Sequence, residues 1–328
     1  MNTRIRSAAV TVFALGAALA PYPASAASPN YPTKPIRLIA HVPPGTLPDV
    51  IARIIGERLA PVLGQPIVVE NRPGASGTIG LAAVAKAQPD GYTLGTITFS
   101  HAVAPGLVAQ LPYDTARDLA AVRQTTQASL LLVVHVESPL RSVSELVAAA
   151  KSQPGRLTYA SPGNGTPLHL VAEVFKRRAG VDIYHVPYKG AMASMTALLG
   201  RQVDLLSTSA VTVVAPIRSG KLRAIATTGP QRMPAFPEVP ALAELGFADF
   251  DVRDWQGFVV PSKTPKPVIE RLAAEVAKVL AQPEIKERLA GIGAEPVADS
   301  SPEAFGALIQ SELARWAKVV REAGIRID

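Results

Sequence analysis

Short apolar runs, most of them ended by a proline or a glycine, follow one another along the chain from position 36. Alternation of apolar and polar residues is typical of a half-buried strand, and recurrence every three to four residues is typical of a helix. On this basis strands are predicted at 36–42, 67–69 and 92–98, and helices at 51–62 and 77–87. This order of elements is typical of a parallel sheet covered by helices.

A second series of elements begins at residue 130. Ser142 and Glu145 have the spacing of a capping box, and Pro167 stands at the first position of a predicted helix. The further predicted strands are 130–135, 158–160, 182–186, 203–206, 224–227 and 252–260, and the predicted helices are 142–152, 167–179, one from 192, one ending at 219, and amphipathic helix through most of 266–323. The pattern therefore predicts a second α/β unit.

Two α/β units joined by extended segments predict a bilobed molecule. The helices after 266 need a sheet to cover, so the second unit is expected to be inserted within the first, with crossings near 128–131 and 250–256. The predicted division is a first lobe made of 28–129 and 251–328 and a second lobe made of 130–250. Small-molecule sites in such proteins lie between the lobes, at the carboxyl ends of strands.

The N-terminus has the pattern of a secretory signal peptide, predicted over residues 1–26. Arg4 and Arg6 precede a short apolar run from 8 to 20, and Ala24-Ser25-Ala26 has the form of a cleavage site. A run of this length is too short to span a bilayer, and no later stretch reaches 18 apolar residues. We therefore expect an exported chain that starts near Ala27, resides in the periplasm and does not insert into a membrane.

Composition and charge exclude several classes of protein. Of the 328 residues 48% are hydrophobic, enough for sizeable cores, and the absence of cysteine excludes disulfides, thiolate metal sites and cysteine nucleophiles. The formal net charge of +7 falls to +5 without the two arginines of the N-terminal segment. The densest basic cluster, Lys176 to Arg178, lies beside Glu173 on a predicted helix, and aromatic residues are few. Nucleic-acid binding is therefore not expected.

The common enzyme motifs are incomplete. Gly163-x-Gly165 is followed by Leu168 where a dinucleotide-binding fingerprint needs a third glycine, and Gly220-Lys221 is followed by Leu222 where a phosphate loop needs a hydroxyl. The five histidines are far apart, and no pair has the spacing of metal ligands. No cofactor, metal site or catalytic residue is predicted.

Three loops have the composition of anion sites. Pro43 to Thr46, Gly163 to Thr166 and Tyr188 to Gly190 each connect a predicted strand to the start of a helix. Helix starts present unpaired N–H groups and a partial positive charge, and glycine permits close approach of a ligand. The plainer interpretation is that short connections require these residue types for their turns alone.

Seven motifs occur in the order of a known family. They are Tyr31-Pro32-x-Lys34-Pro35-Ile36-Arg37, Pro43-Pro44-Gly45, Val69-Glu70-Asn71-Arg72-Pro73-Gly74, Pro89-Asp90-Gly91-Tyr92-Thr93, Gly163-Asn164-Gly165, His185-Val186-Pro187-Tyr188-Lys189-Gly190 and Gly220-Lys221-Leu222-Arg223. The chain resembles the Bug family, the extracytoplasmic solute receptors of tripartite tricarboxylate transporters, over about Tyr31 to Gly324.

The resemblance implies an α/β, two-lobed periplasmic binding protein fold of the type II kind, with a hinge of two crossing segments. It implies a monomeric receptor that closes on a small carboxylate and passes it to an inner-membrane permease through transient contact. The candidate ligand-binding residues lie in the loops and at the strand ends: Pro44, Gly45, Thr46, Thr98, Ser100, Ser161, Gly163, Asn164, Gly165, Thr166, Tyr188, Lys189, Gly190, Ser207 and Thr208. A sensory co-receptor for a sensor kinase, or less readily a periplasmic enzyme, is the alternative.

Two departures from the family pattern bear on the ligand. Leu47 and Pro48 replace further glycines in the first loop, and Ser207-Thr208-Ser209 replaces an aromatic, an acid and an asparagine. Hydroxyls cannot neutralise a buried ammonium, so we expect a carboxylate without a free ammonium group. Leu47 and Phe99, if both face the cleft, would favour an apolar ligand body. Alternatively, Ser207 to Ser209 only cap the next helix.

Overall fold

A curled sheet of ten strands passes through the part of the chain that the computed structural model describes, residues 30–108 and 110–323. The strands are β1 Ile36–Ala40, β2 Ile67–Asn71, β3 Thr93–Thr98, β4 Leu119–His135, β5 Thr158–Ser161, β6 Tyr184–Pro187, β7 Leu205–Ser209, β8 Leu222–Thr227, β9 Arg253–Pro261 and β10 Glu295–Pro296. The helices are α1 Leu47–Leu63, α2 Thr78–Ala85, α3 Phe99–Leu107, α4 Thr115–Asp118, α5 Val143–Ser152, α6 Pro167–Ala179, α7 Ala191–Leu199, α8 Ala210–Arg218, α9 Lys266–Ala281, α10 Pro283–Gly291 and α11 Pro302–Ala323. The predicted signal peptide, 1–26, lies outside the described residues.

The strand order of the sheet is β2-β1-β3-β9-β4-β7-β5-β6, and β8 and β10 also pair with β4. Strand β1 is parallel to β2 and β3, and β5 is parallel to β6 and β7. Strand β9 is antiparallel to both β3 and β4. The sheet therefore holds two parallel groups joined by an antiparallel centre.

Strand β4 belongs to both groups. Its first part, Leu119 to Ser129, pairs with β9, and its second part, from Leu130, pairs with β7 and β8. The chain crosses again where the Thr228 N–H donates to the Leu130 carbonyl and the Val252 N–H donates to the Thr228 carbonyl. We call the group with β1, β2, β3, β9 and β10 lobe 1 and the group with β5 to β8 lobe 2. The exact domain boundaries remain a prediction.

Three apolar cores hold these layers together. One packs α1, α9 and α10 on a face of the lobe 1 sheet, and another packs α7 and α8 on lobe 2. The third is shared by both lobes and includes Phe99, Tyr159, Phe175, Trp255 and Trp316. Among the described helices, none is both long and apolar enough to cross a membrane.

The start of β4 and the whole of α3 differ from the sequence-based prediction. Residues Arg123 to Thr126 are polar but buried, because their partners come from distant segments. The Arg123 guanidinium donates to the Ala298 carbonyl, and the Gln124 N–H donates to Ser300 Oγ at 3.2 Å. Helix α3 contains Pro105, which argues against a helix when the sequence is taken alone.

Candidate functional site

The carboxyl ends of the parallel strands of the two lobes face each other. Strand β3 runs in the direction of β4, toward lobe 2, and ends at Thr98, which is opposite Gln256 and so level with Thr126. Strand β7 runs against β4, toward lobe 1, and ends at Ser209 opposite Leu130. The two edges are therefore four residue steps apart along β4, about 13 Å at 3.3 Å per step. The predicted site residues lie along these two edges.

The first loop already holds a carboxylate of the protein itself. Pro44, Gly45 and Thr46 are exposed, but the Gly45 N–H donates to Asp49 Oδ2 at 2.8 Å, and the Thr46 hydroxyl donates to the Pro43 carbonyl at 2.7 Å. Asp49 is buried and occupies the position at the helix start that the sequence argument assigned to a ligand.

Asp49 is held as an anion by three donors. Besides Gly45, Arg53 Nε lies 3.1 Å from both carboxylate oxygens and Asn71 Nδ2 lies 2.7 Å from Oδ1. Burial alone would raise the pKa of Asp49, but these hydrogen bonds outweigh it and hold the pKa below its usual value. The Asp49–Arg53 spacing of four residues is the sequence feature from which this ion pair could have been predicted.

Helix α3 starts at the lobe 1 edge of the site, directly after β3. Thr98 is its N-cap, and its Oγ1 lies 2.8 Å from Ser100 Oγ and 3.1 Å from His101 Nδ1. Phe99 is fully buried and packs edge-to-face on Trp316 with the ring centroids 4.8 Å apart. The condition that both Leu47 and Phe99 face the cleft is therefore not met, because the first turn of α3 directs the Phe99 ring into the shared core. Leu47, by contrast, is partly buried against the lobe 1 core.

The glycine loop of lobe 2 is also bonded internally. The Gly163 N–H donates to Ser161 Oγ at 3.1 Å, and the Gly165 N–H donates to His169 Nδ1 at 3.0 Å. Thr166 is the N-cap of α6, and its Oγ1 donates to the Gly163 carbonyl at 2.8 Å. Both glycines have positive φ, +145° and +69°. These N–H groups therefore shape the loop in this structure.

The third loop packs beside the glycine loop. The Tyr188 N–H donates to the Ser161 carbonyl at 2.9 Å, and the Gly190 N–H donates to the Pro162 carbonyl at 3.0 Å. The side chains of Asn164 and Lys189 are exposed on this paired surface. The structure thus brings together the lobe 2 candidates from Ser161 to Gly190 in one patch.

Ser207 and Thr208 are buried strand residues. Only Ser209 stands at the start of α8, where its Oγ lies 3.0 Å from Thr212 Oγ1. Continuing the β5–β7 register by one residue places Ser207 beside Ser161. Ser207 Oγ is buried and has no hydrogen-bond partner within 30–108 and 110–323. An unpaired buried hydroxyl costs about 1–3 kcal/mol, so a hydrogen-bond partner for this oxygen would be favourable.

Each lobe holds a pair of histidines in contact with each other, at the start of α3 in lobe 1 and at the start of α6 in lobe 2. His41 and His101 meet edge-to-face at 4.3 Å in lobe 1, and His169 and His185 stack at 3.9 Å in lobe 2. Burial lowers the pKa of His41 to about 4, and burial together with the neighbouring His169 lowers that of His185 to about 4. All four rings are therefore neutral at neutral pH, which lets His169 Nδ1 accept from the Gly165 N–H. In the described part of the chain, no group of three histidine or acidic residues is arranged to hold a metal ion.

We expect acid to destabilise the protein through these pairs. The unfolded chain binds more protons than the folded one between pH 6.5 and about 4, so the free energy of unfolding falls as pH falls through that window. For His41 alone the loss approaches about 3 kcal/mol. Urea titrations at pH 7 and 4.5 measure it, and the variant His41→Asn should show a shallower pH dependence. Equal stability at both pH values would contradict this assignment.

Sequence reasoning missed Asp254. It lies on β9, opposite Ala128 and beyond the end of β3, at the boundary between the lobes. Within the sequence it is one polar residue among several in a strand. Its position weakens the argument against an ammonium ligand, because that argument considered only Ser207 to Ser209 as the residues near the ligand.

One described surface cavity, of about 320 Å³, lies beside the crossing segments, where Gln127, Asp251 and Arg253 line it. Two larger cavities lie away from this boundary. The first, of about 660 Å³, is between α3, α4 and α11, and another of the same volume lies between α5 and the segment 238–247. Neither is lined by a candidate ligand-binding residue. The candidate site is therefore defined by the facing strand ends.

Comparison with known proteins agrees with this architecture. The profile of the family described as "Tripartite tricarboxylate transporter family receptor" matches residues 51–325. Protein BugT of Bordetella pertussis is 36% identical over 329 residues, covering 100% of both chains. The resemblance to Bug receptors is thereby confirmed.

Two solved structures with ligands are similar to this chain. Rpa4515 of Rhodopseudomonas palustris, solved with adipate, is 32% identical, with a TM-score of 0.75 over 90% of this chain and 100% of that one. MatC of the same organism, solved with bound malate, is 31% identical, with a TM-score of 0.72 over 88% and 100% of the two chains. The predicted two-lobed α/β binding-protein fold is confirmed.

Proposed function

This chain belongs to the tripartite tricarboxylate transporter receptor family, and we propose that it is a periplasmic receptor that captures a small carboxylate between its lobes and delivers it to a membrane permease. Structural neighbours that hold adipate and malate support the ligand class. The fold positions five helix starts, those of α1, α3, α6, α7 and α8, at the facing edges. Their partial positive charges favour an anion there.

The observation that carries the proposal is the convergence of strand ends around unpaired donors. The ends of β3 and β7 approach from opposite lobes, and Ser207 Oγ lies buried and unpaired beside Ser161. Asn164 and Lys189 add exposed donors on the adjacent loops. We propose that these groups, with Ser100 and Thr166, contact the ligand, while Gly45, Gly163 and Gly165 set the loop shapes.

Motion between the lobes forms part of the proposal. The hinge consists of the crossings near 129/130 and 250/251, so the first lobe is discontinuous. The protein acts as a monomer, binds its ligand without converting it and contacts the permease transiently in the closed form.

Native mass spectrometry of freshly purified protein tests the proposed function. We expect a retained small carboxylate, released on denaturation. Calorimetry with a panel of di- and tricarboxylates then measures affinity. A folded protein that retains no small molecule and binds none of the panel would contradict the proposal.

Export is tested separately. We expect N-terminal sequencing of the protein from a periplasmic extract to give a start near Ala27, because Ala24-Ser25-Ala26 has the form of a cleavage site. A chain that retains Met1 in the membrane fraction would rule out cleavage.

A further inference from the structure

Asp254 lies on β9, at the boundary between the lobes. Gln256 on β9 is directly opposite Thr98, the last residue of β3, so Asp254 extends two residues beyond that strand end. Residues two apart on a strand face the same side, and directly opposed residues share a face. Asp254 therefore lies on the face that carries Thr98, as its diagonal neighbour, at the edge that begins α3.

No described residue neutralises the carboxylate of Asp254. Within 30–108 and 110–323, the side-chain oxygens of Asp254 accept no hydrogen bond and form no ion pair, although the adjoining residue is Arg253. The Arg253 guanidinium is on the opposite face of β9, where it binds Asp251 at 2.7 Å and Gln127 at 2.7 Å. The alternation of side chains along the strand thus separates the Asp254 carboxylate from the cation next to it in sequence.

The surroundings of Asp254 are poorly solvated. Its side chain is only partly exposed, and burial raises the pKa of the carboxyl to about 6. At neutral pH the group is still mostly charged. A ligand carboxylate placed nearby would be repelled, unless the ligand also presents a hydrogen-bond donor to this oxygen pair.

We infer that Asp254 accepts a hydrogen bond from a donor on the ligand, and so selects carboxylates that carry a hydroxyl or ammonium group over unsubstituted ones. This rests on the proposed function, since it concerns the same site. Both kinds of ligand carry a hydrogen-bond donor next to a carboxylate. A hydroxyl agrees with the hydroxyl-only segment Ser207 to Ser209, whereas an ammonium would make Asp254 the charge partner that this segment lacks.

Calorimetry with matched ligand sets tests the inference. The sets are succinate, malate and aspartate; glutarate, 2-hydroxyglutarate and glutamate; and adipate, 2-hydroxyadipate and 2-aminoadipate. In the set of fitting length, we expect the wild type to prefer one substituted acid by about 10- to 100-fold, the range of a charge-assisted hydrogen bond. Preference for the hydroxy acid or for the amino acid identifies the donor.

The variant Asp254→Asn should lose this preference and bind the unsubstituted acid more tightly than the wild type does. Asp182→Asn is the matched control. Asp182 is exposed on lobe 2, so this substitution removes the same charge at a position away from the boundary. Melting temperatures confirm that both variants fold.

The two proposals fail in different ways. If the wild type binds an unsubstituted acid as tightly as its derivatives, or Asp254→Asn keeps the wild-type preference, the role of Asp254 is overturned and the receptor function stands. If the folded wild type binds no acid of any set, the proposed function fails and takes this inference with it.

Discussion

Truncation of Trp316 to alanine is expected to lower the free energy of unfolding by about 4 kcal/mol. The indole is fully buried in the core that both lobes share, and its Nε1 donates to Glu312 Oε2 at 2.8 Å. Its edge-to-face contact with Phe99 fixes the first turn of α3. The variant therefore loses buried apolar area, leaves a cavity and leaves the buried acid Glu312 without this donor.

Thermal unfolding measures the effect of Trp316→Ala, with an expected fall in melting temperature on the order of 10 °C. Gln310→Ala on the same helix is the control, since that side chain is exposed and should change stability little. Equal melting temperatures for the two variants would show that the shared core does not depend on this ring.

Gly163→Val and Gly165→Val are expected to weaken ligand binding by about 100-fold or more, equivalent to ~3 kcal/mol. Both glycines have positive φ, which a β-branched residue adopts only with strain. The altered loop would no longer keep the Gly165 N–H on His169, and the added side chain would stand in the path of the ligand. Lys189→Met should cost less, because Lys189 is one exposed donor among several.

Gly180→Val is the matched control for these two variants. Gly180 ends the same helix that Thr166 begins, it has φ +62°, and a Cβ there meets no atom within 4 Å. The control therefore introduces comparable backbone strain away from the loop. Calorimetry that shows lost binding in Lys189→Met, with both loop variants unaffected, would reverse the assignment.

Local signals predicted individual elements well. Helix α6 was predicted from Pro167 to Ala179 and has those bounds. A proline at the first position and Gly180 after the last act through the local backbone conformation alone. Helix α1 ends before Gly64, as expected, with that glycine in the left-handed region. Such features need no knowledge of distant residues.

Features that depend on distant partners could not be predicted. The buried polar residues at the start of β4 resemble a loop until Ala298 and Ser300 are known to satisfy them. The loops were correctly assigned to strand–helix junctions. That their N–H groups bond to Asp49 and His169 follows from loop conformation, which composition does not specify. Asp254 acquires significance only from the point at which β3 ends.

The uninterrupted passage of β4 has a consequence for how the receptor is recognised. A flexible connector would let two bodies tumble independently, whereas a strand paired on both sides bends and twists along few coordinates. If the lobes move as proposed above, the paired strand limits their relative displacement to few coordinates. On the proposed function, a membrane permease would then need to detect only one inter-lobe angle to distinguish the empty protein from the loaded one, and a small complementary surface would be enough for this.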